Sequence, residues 1–212
     1  MKHFIYRTLM IFLVLCCVCS AAPEPAIVPA LGQWTLDVEF THLQQIVLPI
    51  GENMQPKRFW YTIVTVTNNT GFDVDFYPKF DLMTDTFHIT SAGTNVGSIV
   101  FDKIKIRHRS RYPFLENLKE AGNIMLQGEE NAKDIAVIWP DFDPQARSIK
   151  IFMTGFSNET VAVNYPVLKD GEKVPDKVYL RKTLEISYDL EGESASRTNT
   201  NLIYKGKRWI MR

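Results

Sequence analysis

Cysteine is scarce in this chain and confined to its beginning. Only three of the 212 residues are cysteines, at Cys16, Cys17 and Cys19. From residue 22 onward, a disulfide, a thiolate nucleophile or a cysteine-ligated zinc site is therefore excluded. The roughly 190 residues that follow are enough to bury one sizeable core by hydrophobic packing alone, so we expect a single domain.

An excess of charge of either sign is also lacking. The 24 Lys and Arg residues balance the 24 Asp and Glu residues. A near-neutral body has no general attraction for nucleic acid or for anionic lipid, so we predict no nucleic-acid partner. There is no phosphate loop and no Gly-x-Gly-x-x-Gly run, which argues against a nucleotide partner.

The beginning of the chain has the order of a secretory signal peptide. Lys2 and Arg7 precede an apolar run over residues 9–18, and small residues follow at Ser20 and Ala21. The run is shorter than a membrane-spanning helix requires, so we predict cleavage after Ala21 and a signal peptide over residues 1–21. Lipidation at one of the three cysteines is the alternative, although the residues before them are larger than that signal normally has.

The cleaved chain would be exported to the periplasm or the extracellular space, with no transmembrane anchor. Prolines at positions 23, 25 and 29 predict an extended leader over residues 22–30 rather than a helix. A β-sandwich domain is then expected over residues 31–212.

Alternation of apolar and polar residues dominates this domain. Residues 34–41 alternate with one dry face, and residues 59–67 carry apolar side chains on both faces, which indicates a central strand. The turn-rich residues 68–71 predict a hairpin that joins this strand to residues 72–76, with Gly71 at positive φ. Further strands are predicted at residues 80–84, 135–139, 149–156, 161–167, 180–190 and 202–211.

The segment at residues 180–190 gives the clearest orientation. Leu184, Ile186 and Tyr188 should point inward from one strand, with Glu185 and Ser187 outward. Seven or more short strands separated by turns predict a mainly β fold, an antiparallel immunoglobulin-like sandwich.

A helical insertion is expected near residues 96–122. Pro113 at a first helical position, apolar residues at helical spacing and Gly122 as a stop predict a short helix over residues 112–122. The first part of residues 96–109 has the spacing of a helix, whereas the residues around Ile104 alternate like a strand. We favour a helix for the whole segment.

Motifs for catalysis are few. His42, His88 and His108 show no zinc-protease spacing, and Ser157 lacks the second glycine of a nucleophile elbow. We therefore predict no catalytic residue and no cofactor-binding residue.

Paired aspartates are the strongest candidates for a metal site. Asp73 and Asp75 form one pair, Asp141 and Asp143 form another, and oxygen ligands of this kind suit Ca²⁺. Both pairs fall where solvated strand or turn residues are expected, so simple solvation is the favoured interpretation. Carboxylate pairs of the glycosidase type remain an alternative, because such pairs are defined by distance in space.

Basic residues gather in two places. Lys103, Lys105, Arg107, Arg109 and Arg111 form the first run, and Lys205, Lys207, Arg208 and Arg212 the second. An envelope protein or an anionic envelope polymer could bind such patches, whereas a solvated, charge-balanced surface is the favoured interpretation.

The strand at residues 59–67 and its Thr-Asn-Asn-Thr-Gly turn, with residues 80–86 and 207–212, resemble an uncharacterised family of exported bacterial proteins with immunoglobulin-like domains. The resemblance implies a sandwich fold and assigns no catalytic residue. The predicted function is a non-catalytic module with a structural or interaction role in the cell envelope or outside the cell. The alternative is a secreted carbohydrate-active or metal-assisted hydrolase built on Asp141 and Asp143.

Overall fold

The protein is mainly β. The computed structural model describes residues 31–51, 54–169, 172–192 and 201–212. The predicted signal peptide and leader, residues 1–21 and 22–30, lie outside the described residues. Helix α1 spans Ser98–His108. The strands are β1 (Asp37–Phe40), β2 (Gln44–Ile50), β3 (Gln55–Asn68), β4 (Val74–Asp75), β5 (Lys79–Thr84), β6 (Ile89–Ser91), β7 (Glu116–Asn117), β8 (Ile124–Met125), β9 (Gly128–Pro140), β10 (Ser148–Thr154), β11 (Thr160–Lys169), β12 (Glu172–Glu191) and β13 (Asn201–Met211).

The strands form two large sheets and one small one. In the first sheet, β3 lies between β9 on one side and both β1 and β2 on the other, and β7 pairs with β9 in parallel. The second sheet has the order β11-β12-β10-β5-β6, with β13 also paired to β12. Strands β4 and β8 pair only with each other. Apart from the β7–β9 pair, all the recorded strand pairings are antiparallel.

Two hydrophobic cores lie on the two faces of the first sheet. Trp60, Val64 and Val66 of β3 face the second sheet and pack with its inward residues, such as Ile151 and Ile186. The alternate residues of β3 face away and pack against α1. The prediction that residues 59–67 form a central strand covered on both faces is confirmed.

The long strand β12 extends beyond the second sheet. Its later half pairs with β10 and β13, whereas residues 172–181 pair with β11. Strand β11 and residues 172–181 form a two-stranded extension, here called the arm. Its exposed side chains include Tyr165 and Tyr179.

The helix prediction is half confirmed. Residues 98–108 are helical, as favoured for the segment 96–109. The helix predicted over residues 112–122 is wrong: this segment forms turns and β7. Asn117 explains the difference, because its side-chain oxygen accepts hydrogen bonds from the backbone N–H groups of Lys119 and Glu120 at 2.9 and 3.1 Å. Such local bonds compete with the helical ladder.

The hairpin predicted across residues 68–71 is also wrong. Strand β4 pairs with β8, while Asn68 at the end of β3 pairs with Gly128 of β9. Because β1, β2 and β9 already occupy both edges of β3, the chain after the turn has no free edge beside β3 to join. Gly71 does have the positive φ expected there, 93°.

The inward face of β12 is confirmed, with Leu184, Ile186 and Tyr188 buried. The outward exposure of Glu185 is not, because this residue is buried on the opposite face. Its carboxylate lies 2.9 Å from the Arg208 guanidinium and 3.5 Å from Lys150 Nζ. These two cations from neighbouring strands cover the carboxylate and compensate for its burial.

Among the described residues, no helix has the length and apolar character that crossing a bilayer requires.

Candidate functional site

A groove of about 570 Å³ opens at one end of the molecule, where residues 72–77 approach residues 155–158. Trp34, Asn158 and Arg181 line one wall, and Phe72, Asp75 and Tyr77 line the other. We call it the end groove. Its size falls within the range of typical ligand sites.

The first wall is held by hydrogen bonds to the backbone of Trp34. The Trp34 N–H donates to Asn158 Oδ1 at 2.8 Å, and Ser157 Oγ donates to the Trp34 carbonyl at 2.7 Å. The Asn158 N–H also donates to that carbonyl, at 3.3 Å. Ser157 and Asn158 thus position Trp34, as serine and asparagine commonly do where a strand ends in a turn.

The second wall is fixed through Gln127. Its N–H donates to Asp73 Oδ1 at 2.8 Å, and its Oε1 accepts from the Gly71 N–H at 2.7 Å. The Phe72 carbonyl accepts from Asn68 Nδ2 at 2.9 Å. The beginning of the segment that carries Phe72 and Asp75 is therefore restrained.

Gly155 brings the two walls together. It has a φ of 94°, and a Cβ at this position would overlap the carbonyl oxygen of Tyr77. Only glycine permits this approach of the two backbones. The spacing of the groove therefore depends on the absence of a side chain at residue 155.

The aromatic side chains of the groove are open to solvent. Phe72 and Tyr77 are 51% and 67% exposed, and Trp34 is half-buried. No contact between any of these three rings and another ring is recorded within the part of the chain that the structure describes. The exposed rings of Phe72 and Tyr77 are available to a ligand, whereas part of Trp34 packs against the core.

Two charged groups accompany these rings. Asp75 and Arg181 are both exposed and both line the end groove. Over residues 31–51, 54–169, 172–192 and 201–212, neither side chain is recorded in an ion pair or a hydrogen bond. A carboxylate and a guanidinium are thus free to bind polar groups of a ligand.

The two predicted aspartate pairs lie far apart. Asp73 and Asp75 line the end groove, near Asn68. Asp141 follows the other end of the β3–β9 ladder, where Phe59 pairs with Pro140. The nine residues of β3 between these points span about 30 Å, so the two pairs cannot form one site.

Asp141 and Asp143 bind groups of the protein itself. Asp141 Oδ1 accepts from the Trp60 indole N–H at 2.8 Å, and its Oδ2 lies 3.5 Å from the Arg58 guanidinium. Asp143 accepts from Thr86 Oγ1 at 2.6 Å. In the described part of the chain, no group of three or more His, Cys, Asp or Glu residues is arranged to hold a metal ion.

His108, His42 and Ser157 also have structural contacts. His108 Nε2 lies 2.9 Å from the Tyr61 hydroxyl, and the ring of His42 packs 5.0 Å from that of Tyr204. Burial lowers the pKa of His108, and the charges of Arg107 and Arg111 lower it further.

No protein-family model, curated protein or solved structure matches the chain. The resemblance to exported immunoglobulin-like proteins therefore stays a prediction.

Sequence reasoning named Asp73 and Asp75 but missed Trp34, Tyr77 and Arg181 as members of a site. The alternation of residues 34–41 places Trp34 in a strand with one dry face, and Arg181 lies within the strand predicted at residues 180–190. A period-two pattern identifies the exposed face of a strand. It does not show that residues 34, 77 and 181 lie close together, because that depends on how the chain between them folds.

Proposed function

We propose that the chain is an exported, non-catalytic module that binds a saccharide polymer of the cell envelope through the end groove. The observation that carries the proposal is the set of aromatic side chains in the groove, the exposed Phe72 and Tyr77 and the half-buried Trp34, beside the free charges of Asp75 and Arg181.

Aromatic rings and charged groups together match the chemistry of a sugar. A pyranose ring has an apolar face of C–H groups, which packs on an aromatic face, and a rim of hydroxyl groups. The Asp75 carboxylate can accept hydrogen bonds from such hydroxyls, and the Arg181 guanidinium can donate to them. Three rings along one open groove suit an extended chain of sugars.

The groove is also preformed, because hydrogen bonds hold both of its walls in the absence of a ligand. Trp34 is held by Ser157 and Asn158, and the opposite wall is held by Gln127. A preformed site avoids part of the entropy cost of ordering side chains on binding.

The proposal of a non-catalytic module rests on the hydrogen bonds that Asp73 and Ser157 make within the protein. One oxygen of Asp73 accepts the Gln127 N–H. Ser157 Oγ donates to Trp34 and accepts from the Glu159 N–H at 3.1 Å. A nucleophile or a general base needs its reactive atom directed at the substrate, whereas one Asp73 oxygen and Ser157 Oγ support the walls. We assign the free Asp75 carboxylate to ligand binding.

The immunoglobulin-like arrangement is part of the same proposal. Two mainly antiparallel sheets that share one core, with loops gathered at their ends, support it. In such folds the loops and edge strands provide the binding surface, and the end groove is built from these elements.

Calorimetric titration with soluble oligosaccharides tests the proposal. The probes are glycan strands released from peptidoglycan, with chitohexaose and cellohexaose as chemically distinct chains. Tyr77→Ala and Phe72→Ala should each weaken binding about tenfold or more, the loss expected from one aromatic contact. Tyr165→Ala, which removes an exposed ring of the arm, is the matched control and should have no effect.

Two results would contradict the proposal. Absence of binding to every probe, or an equal loss in the Tyr77 and Tyr165 variants, would exclude the end groove as a saccharide site. Release of new reducing ends from a probe would show hydrolysis and overturn the non-catalytic assignment.

A further inference from the structure

Helix α1 carries apolar side chains on its solvent face as well as on its inner face. Val100, Phe101 and Ile104 are buried against the first sheet. Ile99 and Ile106 lie on the opposite side and are 49% and 61% exposed. These two residues are seven positions apart and therefore lie along one line of the helix surface.

Cations surround this exposed apolar line. At 100° per residue, Lys103 lies on one side of Ile106, and Lys105 and Arg109 lie on the other. Residues 98–112 contain five Lys and Arg residues but one acidic residue, Asp102. The outer face of α1 is therefore locally basic although the whole chain is neutral.

These cations have no acidic partner among residues 31–51, 54–169, 172–192 and 201–212. Lys105 lies 5.6 Å from the centre of the Phe101 ring, and Arg111 lies 5.4 Å from that of Tyr112. The second basic group is different. There Arg208 is paired with Glu185 at 2.9 Å and Lys205 with Asp189 at 3.1 Å.

We propose that the outer face of α1 binds an anionic lipid surface. Ile99 and Ile106 would enter the boundary between headgroups and acyl chains. The flanking cations would bind lipid phosphates while their hydrocarbon stems stay in the apolar layer.

Charge complementarity and the central isoleucines together favour a lipid surface over other polyanions. A nucleic acid or an acidic polysaccharide would attract the same cations but would gain nothing from Ile99 and Ile106. An anionic bilayer satisfies both features at once.

Vesicle flotation of the chain from residue 22 tests this inference. One set of vesicles contains phosphatidylcholine alone, and the other contains phosphatidylglycerol in phosphatidylcholine. Binding should require phosphatidylglycerol and should weaken about tenfold or more when the ionic strength rises from about 0.05 to 0.5 M.

Matched variants separate the contributions. Lys103→Glu with Lys105→Glu should abolish flotation, whereas the same change of charge through Lys205→Glu with Lys207→Glu should leave most of it. Ile99→Ser with Ile106→Ser keeps every charge and should weaken binding about tenfold, because insertion of the apolar side chains is lost. Circular dichroism confirms that each variant is folded.

Three outcomes would overturn the inference: no binding to phosphatidylglycerol vesicles, equal losses from the two pairs of lysine changes, or unchanged binding after both isoleucine changes. The last result would identify a general polyanion surface. None of these outcomes affects the end groove, whose residues are different.

Discussion

Lys182 Nζ lies 3.0 Å from Glu159 Oε2, and the two side chains are only 8% and 3% exposed. Lys182 also donates to Thr35 Oγ1 at 3.3 Å and lies 5.4 Å from the centre of the Trp209 ring. This buried ion pair marks the point where the arm leaves the body of the protein. It explains why a lysine interrupts the otherwise apolar inner face of β12.

Removal of one partner of this pair should be costly. Glu159→Gln or Lys182→Met should lower the free energy of unfolding by about 3 kcal/mol or more, because the other charge stays buried after the opposite charge of this pair has been removed. The double variant Glu159→Gln with Lys182→Met should lose less than the sum of the two. Urea denaturation of the three variants measures this coupling.

The exposed pair Lys205–Asp189 provides the control. Asp189→Asn should cost less than about 1 kcal/mol, as solvent-exposed ion pairs do. Additive losses at Glu159 and Lys182 would show that the two residues do not interact.

Two glycines with the same backbone conformation should respond differently to a methyl group. Gly71 and Gly155 have φ values of 93° and 94°, but a Cβ on Gly71 meets open space and one on Gly155 overlaps Tyr77. Gly71→Ala should cost about 1 kcal/mol from backbone strain, and Gly155→Ala about 3 kcal/mol or more. Equal losses in chemical denaturation would contradict the close approach of the two walls.

Asn68 should contribute more to stability than its neighbour Asn69. Asn68 is fully buried, and its Nδ2 donates to the carbonyls of Phe72 and Met125, both at 2.9 Å. Asn68→Ala should cost about 2 to 3 kcal/mol, since both carbonyls lose a donor. Asn69→Ala removes one exposed bond to Asp37 and should cost less than about 1 kcal/mol.

Asn68-Asn69-Thr70 fits the acceptor pattern for N-glycosylation, and the burial of Asn68 bears on it. A glycan attached to Asn68 is incompatible with this fold, because its Nδ2 lies inside the protein. If the chain is produced in a host that glycosylates, mass spectrometry of the folded fraction should find no glycan on Asn68. A folded, glycosylated Asn68 would overturn the assignment of these hydrogen bonds.

Stability should depend on pH through His108. Its pKa is lowered in the folded protein, chiefly by burial and then by Arg107 and Arg111. Between the unfolded value near 6.5 and the lower folded value, the unfolded chain binds more protons, so stability falls as the pH decreases through this range. Above the pKa of the unfolded chain, His108 is neutral in both states, so its protonation no longer lowers the stability.

Comparison with His108→Gln isolates this effect. Urea denaturation from about pH 7.5 to 5 avoids most of the titration of carboxylates. The native chain should lose stability across this range, and the Gln variant should lose less. Parallel curves for the two proteins would show that His108 is not responsible.

Much of the fold was predictable where one physical preference dominated. The alternation in β12 identified a strand and its inner face, because one side chain in two faces the core, and the apolar side chains on both faces of β3 identified a central strand. The helix at residues 98–108 was correct, whereas that at residues 112–122 was not, since Asn117 uses its side chain to bind the backbone. The sequence pattern predicts an exposed Glu185. In the fold, β13 and β10 place Arg208 and Lys150 beside its carboxylate, which is therefore buried.

The candidate site was predictable only in part. Side-chain period and local sterics are enough to predict the mainly β character, the central position of β3 and the positive φ at Gly71. The folded chain is needed to show that Trp34, Tyr77 and Arg181 share a groove and that Asp141 lies at the opposite end of β3 from Asp75. Such distances depend on which strands pair. The pairing depends in turn on how the two sheets and the helix pack against one another.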